Sequence, residues 1–220
     1  MASFDLFSIG HSNIAAERFV AMLRAAGAGV IADVRSVPVS RFCPWFSAKT
    51  LAPQLARDGI GYLSYGAVLG GRPRDAKLYC DGVADYEAMA RQPEFEAELA
   101  RLMADAARCR ARGAVCLMCS EREPLECHRC LLVARALAER KLTVGHILFD
   151  GSIEPHAVTE QRLLALDDSG GDLFAPGNLL ATGLGERLAA AYRRRARAVA
   201  YRGKANMKKG RSGASATAES

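Results

Sequence analysis

Val115-Cys-Leu-Met-Cys119-Ser-Glu-Arg-Glu-Pro-Leu-Glu-Cys127-His-Arg-Cys-Leu-Leu132 is the stretch whose reading decides the fold. The apolar run from Val115 to Cys119 has the length of a buried strand. The acidic segment after it is a turn, and the residues from Cys127 to Arg140 carry a helical pattern. A strand, a short turn and a helix in that order belong to a sheet with parallel strands, and they place the turn at the carboxyl edge of that sheet. Ligands of open α/β sheets bind at this edge, where backbone N–H groups and a helix N-terminus converge. Cys119, Cys127, His128 and Arg129 all lie there.

The flanking sequence repeats the alternation of strand and helix. Phe4–Ile9 predicts a first strand closing on Gly10-His11-Ser12-Asn13. Ser12 or Asn13 can cap a helix whose apolar positions are Phe19, Val20, Leu23 and Ala26. Gly27 and Gly29 end that helix. Val30–Val34 predicts a second strand, parallel to the first. An irregular stretch runs from Arg35 to Phe46, and Ser47 then caps a helix over Ala48–Arg57. Ile60–Tyr65 is a third strand, and Gly66–Asp81 a second long loop centred on Leu69-Gly-Gly-Arg72-Pro-Arg74. Helices follow at Asp85–Ala90 and Pro93–Arg112, the latter with Phe95, Leu99, Leu102, Met103 and Ala106 on one stripe. Thr143–Phe149 is a last strand and Val158–Ala165 a closing helix. The expected architecture is a three-layer α/β domain over residues 1–165, with a mainly parallel sheet and helices on both faces. A basic, partly disordered extension covers 166–220.

Charge supports that division. The 220-residue chain has a net charge of +6, but ten Lys or Arg and no acid fall between Arg187 and Arg211. Residues 1–186 hold 20 basic against 23 acidic residues, a net of −3. The α/β part is therefore mildly acidic, and segment 187–211 is the candidate nucleic-acid partner region by phosphate neutralisation. Seven cysteines form an odd set with no framework spacing, which suits a reducing compartment. No apolar run is long enough to span a bilayer and the first residues lack a signal pattern, so a cytoplasmic protein without membrane partners is expected.

Within the site, Cys119 at a strand end ahead of a helix N-terminus sits where positive dipole favours a thiolate. Cys116 points to the opposite face, because side chains alternate along a strand, and belongs to the core. Arg129 offers a bidentate fork for phosphate or carboxylate, and His128 can act as acid, base or ligand. His11, Asp33 and Arg35 follow strands that end on the same edge. Arg41 and Arg72 lie in the two long loops, the latter after Gly70-Gly71, where a backbone can approach an anion closely. Glu121, Glu123 and Glu126 suit the dipole of a helix start, and would repel an anion from the turn. Cys116, Cys119, Cys127, His128 and Cys130 also have zinc-like spacing, but a strand turns the first two thiols apart, so no metal is expected. His146, inside an apolar strand, is expected to be a hydrogen-bonded core residue. His156 has no assigned role.

Four motifs in order, Ser8-Ile-Gly-His-Ser12, Asp33-Val-Arg-Ser-Val-Pro-Val-Ser-Arg41, Leu69-Gly-Gly-Arg-Pro73 and Cys119-Ser-Glu-(x5)-Cys127-His-Arg129, resemble the bacterial domain-of-unknown-function family 488 over residues 4–150. Cys130 replaces the serine common in that family after Cys-His-Arg, which argues against Cys130 as a required ligand. The resemblance implies a shared site of His11, Arg35, Arg41, Arg72, Cys119, Cys127, His128 and Arg129, and supplies no reaction or cofactor. A fainter likeness joins the Asp-Val-Arg and strand-Cys-turn-helix segments to rhodanese-type sulfurtransferases, from which the glycine-free turn departs.

The expectation is an enzyme, a thiol-dependent transferase or hydrolase, acting on a small anionic or nucleotide-like ligand. Cys119, Cys127, His128 and His11 carry the chemistry, and Arg35, Arg41, Gly70, Gly71, Arg72 and Arg129 bind. The alternatives are a non-catalytic ligand- or nucleic-acid-binding module aided by the tail, and a structural zinc site.

Overall fold

The computed structural model describes residues 3–170 and 183–203. A six-stranded sheet with helices on both faces gives the three-layer α/β architecture. Its strands are β1 (Leu6–Gly10), β2 (Ala28–Asp33), β3 (Gly61–Ser64), β6 (Ala114–Cys119), β7 (Val144–Ile147) and β8 (Ile153–Pro155). They lie in the order β3-β2-β6-β1-β7-β8, and all neighbours are parallel except the β7–β8 pair. The opening strands are parallel as expected, but β6 is inserted between them. The Val115–Cys119 run is thus a central strand, flanked on both sides.

Alternation along β6 sorts the core into two layers. Val115, Leu117 and Cys119 face one layer, and Cys116 and Met118 the other, so Cys116 is a core residue as expected. The second layer is closed by α1 (Ala16–Ala25) and α2 (Ala48–Arg57), which contribute Phe19, Leu23, Leu51 and Leu55. The first is closed by α4 (Tyr86–Ala90), through Tyr86 and Met89, by α5 (Pro93–Cys109), through Phe95, Leu99 and Leu102, and by the helical segment after Cys127. That segment starts with a wide π-helical turn over Arg129–Ala134 and tightens into α6 (Arg135–Glu139). Ser12 and Asn13 do not cap α1, whose N-cap is Ala15. Ser47 occupies the cap position of α2 but turns its hydroxyl to the Ser40 backbone N–H.

Two hairpins escape the periodicity argument. In the second long loop, which also holds the short α3 (Gly66–Leu69), β4 (Tyr79–Cys80) pairs with β5 (Val83–Ala84) across Asp81-Gly82. At the sheet edge, β8 returns on β7 across Asp150-Gly151. Both strands are too short for an alternation signal. The Asp-Gly dipeptides are the local cue, and all but Asp150 hold positive φ.

The carboxy-terminal region adds to the domain. α8 (Leu184–Val199) packs on α7 (His156–Gly170), burying Ala191 and Tyr192. Its arginines engage acids of the α/β body: Arg193 with Glu87, Arg194 with Asp167, Arg195 with Glu126 and Arg197 with Asp81. Residues 201–203 then run beside the small hairpin. The Ala84 N–H donates to the Tyr201 carbonyl at 2.9 Å and the Gly203 N–H to the Gly82 carbonyl at 2.8 Å. The low-complexity end of the chain lies outside the described residues. No helix among the described residues is long and apolar enough to cross a membrane.

Candidate functional site

The carboxyl ends of β1, β2 and β6 meet beneath a cleft of about 220 Å³, lined in part by Arg35, Gly71, Arg72, Cys119, Glu121 and His128. β1 continues to pair past its end, with the His11 N–H on the Cys119 carbonyl and the Ser12 N–H on the Ser120 carbonyl, both at 2.9 Å. This draws the turn after β6 over Gly10, where a Cβ would stand 1.8 Å from the Glu121 carbonyl oxygen. Only glycine lets the two strand ends close this tightly.

Arg35 is 4% exposed and completely engaged. Its Nε and Nη2 donate to the two oxygens of Asp33 at 2.9 and 2.6 Å, and its Nη1 to the Phe46 carbonyl at 2.8 Å. Nη1 also donates to His11 Nε2 at 3.1 Å, while His11 Nδ1 donates to the Ser12 carbonyl at 2.9 Å. The His11 ring stacks on Phe46. Burial, then the neighbouring Arg35 charge, pushes the His11 imidazole down to about 4, so it is neutral and accepts from the guanidinium. Tyr62 donates to the same Asp33 carboxylate at 2.6 Å.

The floor of the cleft is a cluster of acids around one imidazole. Glu121 Oε2 lies 2.8 Å from Cys119 Sγ and 3.1 Å from Cys127 Sγ. His128 Nε2 donates to the Val34 carbonyl at 2.8 Å and lies 3.9 Å from Cys119 Sγ, and Nδ1 lies 3.7 Å from Cys119 Sγ and 3.9 Å from Cys127 Sγ. One donor atom each from Cys119, Glu121, Cys127 and His128 fits within 4.8 Å of every other. These four could hold a metal ion. Cys116 and Cys130, both in the zinc-like spacing, are not among them. Arg129 is fully buried, and its backbone N–H donates to Cys127 Sγ at 3.4 Å. Its guanidinium donates to the carbonyls of Glu121 at 2.6 Å and Arg122 at 3.1 Å, and its buried Nε has no acceptor among the described residues.

The two thiols titrate as a pair. Burial opposes ionisation at Cys127, but the hydrogen bond from Cys119 and the charges of Arg129 and His128 outweigh it and hold that thiol low. Cys119, desolvated and beside a thiolate and a carboxylate, is pushed up. Burial and Cys127 raise the Glu121 carboxyl, and for His128 the nearby thiolate and carboxylate overcome burial to favour the imidazolium.

A second buried polar set lies on the same side of the sheet. Ser8 Oγ and His146 Nδ1 are 2.6 Å apart, His146 Nε2 and His156 Nδ1 2.9 Å, and His156 Nε2 and Tyr192 Oη 3.1 Å. Burial pushes both histidines down, His156 to about 4. His146 is the hydrogen-bonded core residue expected from its strand, and His156 links it to α8.

Of the anticipated residues, Cys119, His128, Arg35, Gly71 and Arg72 line the cleft, and His11 stands directly behind Arg35. Gly70 packs against Ser36, whose hydroxyl accepts the Arg72 N–H at 3.0 Å. Cys127 is buried below, and Arg129 spends its donors on the Glu121–Arg122 turn. Arg41 is exposed and does not line the cleft. Glu121, Tyr86 and Tyr201 were not anticipated. The local cue for Glu121 is its place two residues after Cys119, but whether a turn carboxylate faces solvent or the thiols is not a local property. Tyr201 comes from the carboxy-terminal segment and stacks beneath the Arg72 guanidinium, 4.7 Å from its ring centre.

Cys119, Cys127, His128 and Arg129 lie, in this arrangement, inside a match to the family described as Domain of unknown function DUF488, over residues 15–136. The chain belongs to the DUF488 family. The match spans over half of the chain, and it leaves out both His11 before it and the α7–α8 region with Tyr201 after it. No curated protein matches the chain. The partners of Cys119 Sγ in this DUF488 protein are a carboxylate and an imidazole, not the ring of backbone N–H groups that a rhodanese-type cradle presents.

Proposed function

We propose that the cleft is the active site of a thiol-dependent enzyme acting on a small anionic or nucleotide-like substrate. The observation that carries this reading is a cleft with Cys119, Glu121 and His128 on its floor and the arginines Arg35 and Arg72 on its wall. Arg35, paired with Asp33 and held by the Phe46 carbonyl and His11, fixes that wall in place. Arg72, whose guanidinium stacks on Tyr201 and whose backbone N–H donates to the Ser36 hydroxyl, supplies the cation that an anion in the cleft meets.

Cys119 faces the cleft and is the nucleophile in this reading. It passes its proton to Glu121, its sulfur bonds to the electrophilic atom of the substrate, and the leaving group takes the proton from Glu121. Cys127 and Arg129 hold the compensating charge below. His11, with both ring nitrogens engaged, positions Arg35 and moves no proton. A reducing, cytoplasmic compartment suits seven free cysteines.

The test is alkylation of the reduced, metal-free full-length protein across pH, read for each cysteine peptide by mass spectrometry, with and without inorganic phosphate. The expected result is that the two thiols titrate apart, Cys127 below and Cys119 above the ordinary value of about 8.5, and that phosphate protects Cys119. Normal titration of both thiols with no phosphate effect would overturn the reading.

A further inference from the structure

We infer that Cys119, Glu121, Cys127 and His128 form a mononuclear site for a borderline-soft divalent cation of the zinc class. This inference stands on the cluster alone: with the ion bound Cys119 is already a thiolate and Glu121 a ligand, so the proton transfer between them described above belongs to the metal-free protein. Tetrahedral zinc with bonds of about 2.0–2.3 Å to nitrogen, oxygen and sulfur separates its ligands by about 3.5–3.8 Å. The Cys119–His128 and Cys127–His128 distances of 3.7 and 3.9 Å come within about 0.4 Å of that spacing. The carboxylate oxygen, at 2.8 and 3.1 Å from the sulfurs, has to withdraw by less than about 1 Å.

Three further features are those of a metal centre. A histidine that ligates through one nitrogen usually donates its other N–H to a carbonyl or carboxylate, which fixes the tautomer. His128 does this with Val34, which leaves Nδ1, 3.7 and 3.9 Å from the two sulfurs, as the nitrogen for the ion; the bonded Nε2 is itself 3.9 Å from Cys119 Sγ. The Arg129 backbone N–H points at Cys127 Sγ, as an outer hydrogen bond to a ligating thiolate would. Charge also balances. Two thiolates and a carboxylate carry −3, a divalent ion brings this to −1, and the fully buried Arg129, which forms no ion pair with any Asp or Glu among the described residues, supplies +1. Without a cation, three acids this close cannot all lose their protons.

The donor set of two sulfurs, one nitrogen and one oxygen selects zinc-class ions over calcium or magnesium, which prefer oxygen. Ligation removes the thiol protons outright, and a metal-bound thiolate keeps nucleophilic sulfur electron density, so Cys119 can face the cleft and the ion together. Cys130, His146 and His156 also lie within 4.8 Å of one another, but their hydrogen bonds to each other and to Ser8 and Tyr192 leave no ring nitrogen unused.

The test is a Co²⁺ titration of the chelator-treated full-length protein in a non-thiol reductant, followed by competition with Zn²⁺. Expected are one equivalent bound, tetrahedral visible absorption, a sulfur-to-cobalt charge-transfer band, and bleaching of both by Zn²⁺. Cys119→Ser and Cys127→Ser each reduce the charge-transfer intensity by about half. Glu121→Gln keeps the band and weakens affinity about 10- to 100-fold. Cys130→Ser and Cys116→Ser leave the spectrum unchanged. Absence of a stoichiometric charge-transfer band in wild-type protein that circular dichroism shows to be folded overturns the inference, as does a band lost in Cys130→Ser instead. Neither result bears on phosphate protection of Cys119, so the two readings fail separately.

Discussion

Gly71 lies so close over His128 that a Cβ on it would stand 2.8–2.9 Å from the imidazole and Cβ atoms of the histidine. The second long loop is thereby held against the site floor by direct backbone-to-ring contact, with Gly71 buried.

Gly71→Ala is therefore expected to displace either the loop or the ring. Overpacking of this kind costs about 1–3 kcal/mol, measurable as a lower urea midpoint at unchanged m-value. Because His128 is keyed to the Val34 carbonyl, the variant should also raise the apparent pKa of the thiol pair. A variant with wild-type stability and wild-type thiol titration would show that the contact is not tight in solution.

Arg35 and Asp33 are a buried ion pair whose members depend on each other. Arg35→Met leaves the Asp33 carboxylate, 1% exposed, with only the Tyr62 hydroxyl and a backbone N–H. Loss of one partner of such a pair costs about 3–5 kcal/mol. Adding Asp33→Asn to Arg35→Met should recover a large part of that loss. Additive losses in chemical denaturation would argue against mutual compensation.

The histidines give stability a defined pH dependence. His11 and His156 are held near 4 by burial, and His146 is also lowered, against an unfolded value near 6.5. Between about pH 6.5 and 4 the unfolded chain binds protons that the folded chain refuses, so stability falls as pH falls. Each histidine adds a slope of up to about 1.4 kcal/mol per pH unit. His128, raised in the folded state, has the opposite sign: its contribution is complete at low pH and is lost as pH rises through its folded value. Urea unfolding at pH 5 and pH 7.5 should show a clear net loss at pH 5, and His156→Gln should flatten it.

Tyr201 holds Arg72 at the cleft without belonging to the matched family segment. Tyr201→Ala should lower phosphate protection of Cys119 several-fold, since a cation–π contact is worth about 0.5–2 kcal/mol, and change unfolding by less than about 1 kcal/mol. Arg41→Ala, on an exposed loop residue, is the control expected to change neither. If only Arg41→Ala weakened protection, the anion would have to bind over the first long loop.

The strands, the parallel layering and the edge on which Cys119, His11 and Arg35 meet were legible in the sequence because each rests on local periodicity and on a rule of chain geometry. An apolar run between polar turns makes a strand whatever its neighbours are, and parallel strands send their ends to one edge. The separation of Cys116 from Cys119 followed in the same way from the two-residue repeat. Where the chain lacked length, as in β4, β5 and β8, no periodicity could develop, and only the Asp-Gly turns marked the hairpins.

The site itself was decided by tertiary structure. The placement of β6 between β1 and β2 brings the Glu121 turn over Gly10, and this closure turns the carboxylate onto two thiols instead of outward to solvent. Docking of α8 carries Tyr201 to Arg72 from far along the chain, while Arg41, equal to Arg72 as a loop arginine in sequence, stays outside. Side-chain direction in a turn is set by what packs against it, and here the packing over Gly10 comes from another strand even though the thiols Glu121 meets are its near neighbours in sequence. Sequence alone therefore determined the elements and their shared edge, and three-dimensional packing determined which acids, thiols and cations share one pocket.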